Sequence, residues 1–231
     1  MTPAYRGEVM RLMTIFADTE LARVVGYADS INKAPSMRER VVAAIIVAEK
    51  LGHAETVIGL LEAFDVHPEL YIRSHAWTGR LDRNVDLGTR RVGDGKRLNV
   101  LHYPLEGWTD AVTMNALFGA ATVLHLSELA GASYAPLGDA MDGIVERKKG
   151  HAAQAVKGVE QAVERGARAA AQAAVDYWYG RVGATFGRIE SERFEIYKNF
   201  GPRRHTNAEL LARWEGDMAP MLERLNLARP A

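Results

Sequence analysis

The sequence predicts an all-α fold, an up-down four-helix bundle with a long crossover and extra C-terminal helices. Three observations lead there. Apolar residues recur at steps of three and four along four long stretches, about residues 5–27, 36–64, 108–129 and 133–165. Helix-start signals stand at the head of some of these stretches. Between the second and third lies a segment with repeated turn signals, and long crossovers of that kind are tolerated in helix bundles.

Within 231 residues, of which 48% are hydrophobic and 25% charged, there is enough chain to bury one sizeable core. A single domain over residues 1–231 is therefore expected. Twenty-nine basic and twenty-nine acidic residues cancel, which leaves no electrostatic footprint for nucleic acid or an anionic membrane surface. With no cysteine, disulfides, iron–sulfur clusters, thiolate zinc sites and cysteine nucleophiles are excluded together. The first residues, Met1 to Glu8, lack the basic-then-apolar run of a signal peptide, and no apolar stretch is long enough without charge to span a bilayer. A cytoplasmic location is the expectation.

In the first helix Val9, Met13, Phe16, Val24 and Tyr27 form one stripe, and Glu20 lies on it. The second follows Pro35, with Ser36 as N-cap and Glu39 completing a capping box. From Val41 to Leu61 it is apolar on nearly every face, as expected for a helix surrounded by others, with Glu49, Lys50, His53 and Glu55 as its polar interruptions. The crossover holds a short helix near Pro68 and turn signals at Asp86-Leu87-Gly88 and Gly93-Asp94-Gly95.

The third helix, 108–129, has few polar residues besides Asn115, His125 and Glu128, and is expected to be the most buried element. The fourth starts near Ser133 or Pro136, with an inward stripe of Met141, Ile144, Lys148, His151 or Ala152, Ala155 and Val159. Its end is not marked, because the Ala-rich run continues past Gly166. C-terminal helices occupy about 166–225, the last opened by a second capping box at Thr206 and Glu209.

Two stretches carry the chemistry. Lys50-Leu51-Gly52-His53 and Lys148-Lys149-Gly150-His151 repeat the i, i+3 spacing that puts two side chains on one helix face. Ferritin-like carboxylate proteins place Glu-x-x-His pairs at that spacing and add a lone Glu from each of two other helices. Here lysine stands where each pair would have its carboxylate, and Glu20 stands as the lone Glu that the first helix would contribute.

The surrounding segments make the likeness specific. Ala34-Pro35-Ser36-Met37-Arg38, Tyr103-Pro104 with Trp108-Thr109-Asp110, Ser133-Tyr134-Ala135-Pro136 and Thr206-Asn207-Ala208-Glu209-Leu210 occur in order. With these the chain, from about Glu20 to Leu225, resembles the phenylacetic acid catabolic family, in particular its iron-bearing large epoxidase subunit. The resemblance implies a ferritin-like fold and places the family's six metal ligands on Glu20, Lys50, His53, Gly119, Lys148 and His151. The family has a carboxylate at the positions of Lys50, Gly119 and Lys148.

In the family, four carboxylates balance two ferrous ions. Here one carboxylate and two ammonium groups already leave a net positive charge, and like unit charges about 4 Å apart cost roughly 4 kcal/mol even at an effective dielectric of about 20. No cofactor is therefore expected. Glu20 and the neighbouring Glu49 are the expected counter-ions of Lys50 and Lys148. A non-catalytic structural or interaction subunit follows, pairing with itself or with a related ferritin-like subunit, with an acyl-CoA as the ligand class that the resemblance implies.

Other readings stay open. The lysines could extend their ammonium groups to the surface. Glu20, His53 and His151 form a two-histidine, one-carboxylate set, the ligand type of mononuclear iron sites, and a buried lysine could serve a CoA-thioester enzyme as a base. His67, His75, His102, His125 and His205 have no ligand-like spacing, Gly93-Asp94-Gly95-Lys96 reads as a turn, and Tyr177-Trp178-Tyr179 reads as packing.

Overall fold

A computed structural model of the chain describes residues 1–74, 77–88, 92, 95–190 and 194–230. Among the described residues there are eight α-helices and no strand: α1 (Pro3–Ile31), α2 (Met37–Leu61), α3 (Pro68–Ser74), α4 (Gly107–Leu129), α5 (Ala135–Glu164), α6 (Arg168–Gly183), α7 (Phe194–Phe200) and α8 (Asn207–Arg224). This all-helical architecture is consistent with a ferritin-like helical bundle. No described helix is long and apolar enough to cross a membrane. Packing divides the chain into two compact units, Met1–Pro104 with Tyr134–Ala140, and Leu105–Ser133 with Met141–Ala231.

In the first unit α1 packs along α2. Val9, Met13, Phe16 and Tyr27 are buried, as their spacing predicts. Ser36 caps α2 by accepting the Glu39 N–H at 3.2 Å, and its hydroxyl donates to the Glu39 carboxylate. One expectation is corrected here. The second helix is not enclosed on all sides: Ala43, Ile46, Lys50, Ala54, Val57, Ile58 and Leu61 are buried, whereas Val41, Ile45 and Leu51 are about half exposed. Apolar composition on a second face does not by itself supply a neighbour to cover it.

The crossover is held to α1 by Asp18, which is fully buried. Its carboxylate accepts from the Tyr71 hydroxyl at 2.5 Å, Trp77 Nε1 at 3.4 Å and the Lys96 N–H at 2.5 Å. The turn at Asp86-Leu87-Gly88 forms as expected, with the Gly88 N–H donating to Asp86. Gly93 and Asp94 of the other expected turn lie outside the described residues.

In the second unit α4 is buried without a break from Asp110 to Gly119, the expectation for the most apolar helix. It packs on α6 and α8, where Trp178 donates to Asp110 at 2.8 Å and Trp214 to the Leu117 carbonyl at 2.9 Å. The stripe of α5 is buried at Met141, Ile144, Lys148, His151, Ala155 and Val159. Two glycines bring α4 and α5 close and antiparallel, Gly119 against Ala152 and Gly158 against Val112. Gly166, at φ 89°, marks the end of α5. The N–H groups of Ala167 and Gly166 turn back to Ala162 and Val163, the bonding of a left-handed helix stop. At α8 the Thr206 and Glu209 capping box is complete.

Candidate functional site

The positions singled out in the sequence fall into two groups, one per unit. In the first, Glu20 is 1% exposed on α1 and Lys50 is 0% exposed on α2. Glu49 and His53 are half-buried neighbours of Lys50 on the same helix. Glu20 Oε1 lies 3.5 Å from Arg23 Nη1, one turn further along α1, and both side chains are buried. Burial lowers the pKa of Arg23, with Glu20 and Tyr27 opposing the shift. A guanidinium nonetheless keeps its charge in a protein. Burial also pushes the Tyr27 phenol up to about 12, against the pull of Arg23.

In the second unit Lys148 is 2% exposed and His151 is 8% exposed, one turn apart on α5. The two lysines therefore do not carry their ammonium groups to the surface, which removes the surface-extended alternative. Facing this stretch of α5 is Gly119 of α4, whose close neighbour is Ala152. A side chain there must displace Ala152 by a few tenths of an ångström, so the glycine permits the close helix approach. Among the described residues no group of three or more His, Asp or Glu side chains is placed to hold a metal ion.

Two clusters escape sequence reasoning. Near the end of α4, Glu128 is buried and accepts from the Arg204 and His205 N–H groups and from the His205 ring at 2.8 Å. Burial alone would raise its pKa, but these bonds hold the carboxyl below its usual range. In the first unit Arg97 donates to the carbonyls of Trp77 and Gly79 and to the His102 ring. Burial, then Arg97 and Arg80, lowers the His102 pKa to about 4. Arg23 was the most accessible of the missed residues, since its i, i+3 spacing from Glu20 is a recognised ion-pair pattern.

Compared with known proteins, the whole chain, residues 1–231, matches the model of one family, the phenylacetic acid catabolic protein. The chain belongs to that family. It is 23% identical over 236 residues to one of the subunits of the 1,2-phenylacetyl-CoA epoxidase from Escherichia coli (strain K12), an alignment that covers 100% of this chain and 71% of that protein. Membership agrees with the segments from Ala34 to Leu210 on which the resemblance rests.

Proposed function

We propose that the chain is a metal-free member of its family, a structural or interaction subunit linked to aromatic acyl-CoA catabolism, in which the ammonium groups of Lys50 and Lys148 take over the electrostatic role of the iron ions. The observation that carries this reading is the burial of both lysines at the two positions matching the carboxylates of the Glu-x-x-His pairs. The residues present do not fit a di-iron centre. Two required acids are cations, the third position is a glycine where an added side chain would press on Ala152 of α5, and the remaining acid already faces Arg23. A buried ammonium demands compensation, and Glu20 and Glu49 are its proposed counter-ions.

That the related Escherichia coli protein is one component of a larger epoxidase supports assembly of this chain with itself or with a related ferritin-like subunit. An acyl-CoA as ligand and a cytoplasmic location belong to the same reading. The test is metal analysis of protein purified from iron-supplemented cells. The expected result is iron far below one equivalent per chain. Near-stoichiometric iron overturns the reading.

A further inference from the structure

The side of α2 turned away from α1 carries a stripe that the buried charges do not explain. Val41, Ala44, Ile45, Ala48, Leu51 and Gly52 are all exposed, with Val41 at 51%, Ile45 at 53% and Leu51 at 45%. At about 100° per residue these positions fall within a band roughly 120° wide. A Cβ placed on Gly52 would meet nothing within 4 Å, so the band is open. Contiguous exposed apolar surface of this kind marks an interaction site.

Charge distinguishes the occupant. The stripe itself is uncharged from Val41 to Gly52, while exposed Arg38 stands at its start and exposed Glu55 at its end. A helix face that is basic at one end, apolar in the middle and acidic at the other complements itself when a copy is turned end for end. A two-fold axis near the Ile45–Ala48 turn puts Arg38 of each copy opposite Glu55 of the other and seats Val41 over Gly52. Such a contact is isologous, each copy using the same patch.

We infer that this face of α2 is a homodimer interface in which two copies of the chain pair antiparallel through α2. The inference rests on the proposed reading that the chain assembles with a ferritin-like partner, and it identifies that partner as a second copy. It does not depend on the state of Lys50 or Lys148.

Sedimentation velocity on the full chain tests it. The expected result is a dimer that Ile45→Glu converts to monomer with helical circular dichroism unchanged, because the position is exposed in the single chain. Arg38→Glu weakens the dimer about tenfold by setting two acids face to face at both ends, and adding Glu55→Arg restores it. Since the chain has no cysteine, Ala48→Cys gives a unique thiol near the axis. Oxidation is expected to link two copies through it, whereas Ala208→Cys, exposed on α8, does not link. The thiol readout stands even where Ile45→Glu fails to fold. A dimer indifferent to all of these changes overturns the α2 face and leaves self-assembly standing. A chain that is monomeric at every concentration overturns both.

Discussion

Gly119 and Ala152 stand so close that a first side-chain carbon on the glycine would lie 3.1 Å from the alanine Cβ and 3.2 Å from its Cα. Placing a side chain at position 119 therefore means that Ala152 of α5 gives way by a few tenths of an ångström, so more than one residue is affected. The pair is expected to be coupled. In a double-mutant cycle, Gly119→Ala and Ala152→Gly together should cost less than the sum of the single changes, by about 1 kcal/mol. Additive denaturation midpoints would show that the helices relax freely at this point.

A second expectation concerns the buried cations. Removing one member of a compensated buried ion set leaves the remaining charge in a poor solvent, at about 3–5 kcal/mol. Lys50→Met, close in volume to lysine at a fully buried position, should lower stability by about that much in urea unfolding. An unchanged or higher stability would mean that no acid depends on this ammonium.

The Asp18 network makes a third case. Its carboxylate accepts from Tyr71, Trp77 and the Lys96 backbone, and burial followed by the bond to Asp18 raises the pKa of the Tyr71 phenol. Asp18→Ala leaves those donors without their acceptor and should cost roughly 2–4 kcal/mol. Asp18→Asn keeps one oxygen and should cost less. Limited proteolysis should cut the crossover between α3 and α4 faster in the alanine variant, and equal cleavage rates would show that other contacts hold it.

What the sequence made legible was set by range. Ser36, Thr206 and the stripe through Lys148 are local patterns of capping and period, and those elements form where the patterns lie. The end of α5 was not legible, because a left-handed Gly166 is indistinguishable in sequence from a glycine tolerated inside an alanine-rich helix. Asp18 and Glu128 gain their partners from residues distant in the chain, which no spacing reveals. The exposed side of α2 reads like core, since an apolar stripe looks the same whether its cover is another helix of the chain or another molecule. Lys50 and Lys148 were legible as anomalies because lysine is unexpected in apolar surroundings and because each stands three residues before a histidine.

His102 supplies a pH dependence. It is 6% exposed, and burial with the nearby Arg97 and Arg80 lowers its pKa to about 4, against roughly 6.5 in an unfolded chain. Between these values the unfolded state binds a proton that the folded state refuses, so stability rises with pH across the window and falls on acidification from about pH 6.5 to about 4. The loss attributable to this group is at most roughly 3 kcal/mol. His125, lowered to about 3 by burial and Arg203, acts in the same direction, so the comparison must be with a variant and not with a flat line. His102→Gln keeps an acceptor for Arg97 without a titrating ring. Its urea-unfolding free energy should fall less steeply than that of the parent across this window, by up to one proton. Parallel profiles for the two proteins would show that His102 titrates alike in the folded and unfolded states.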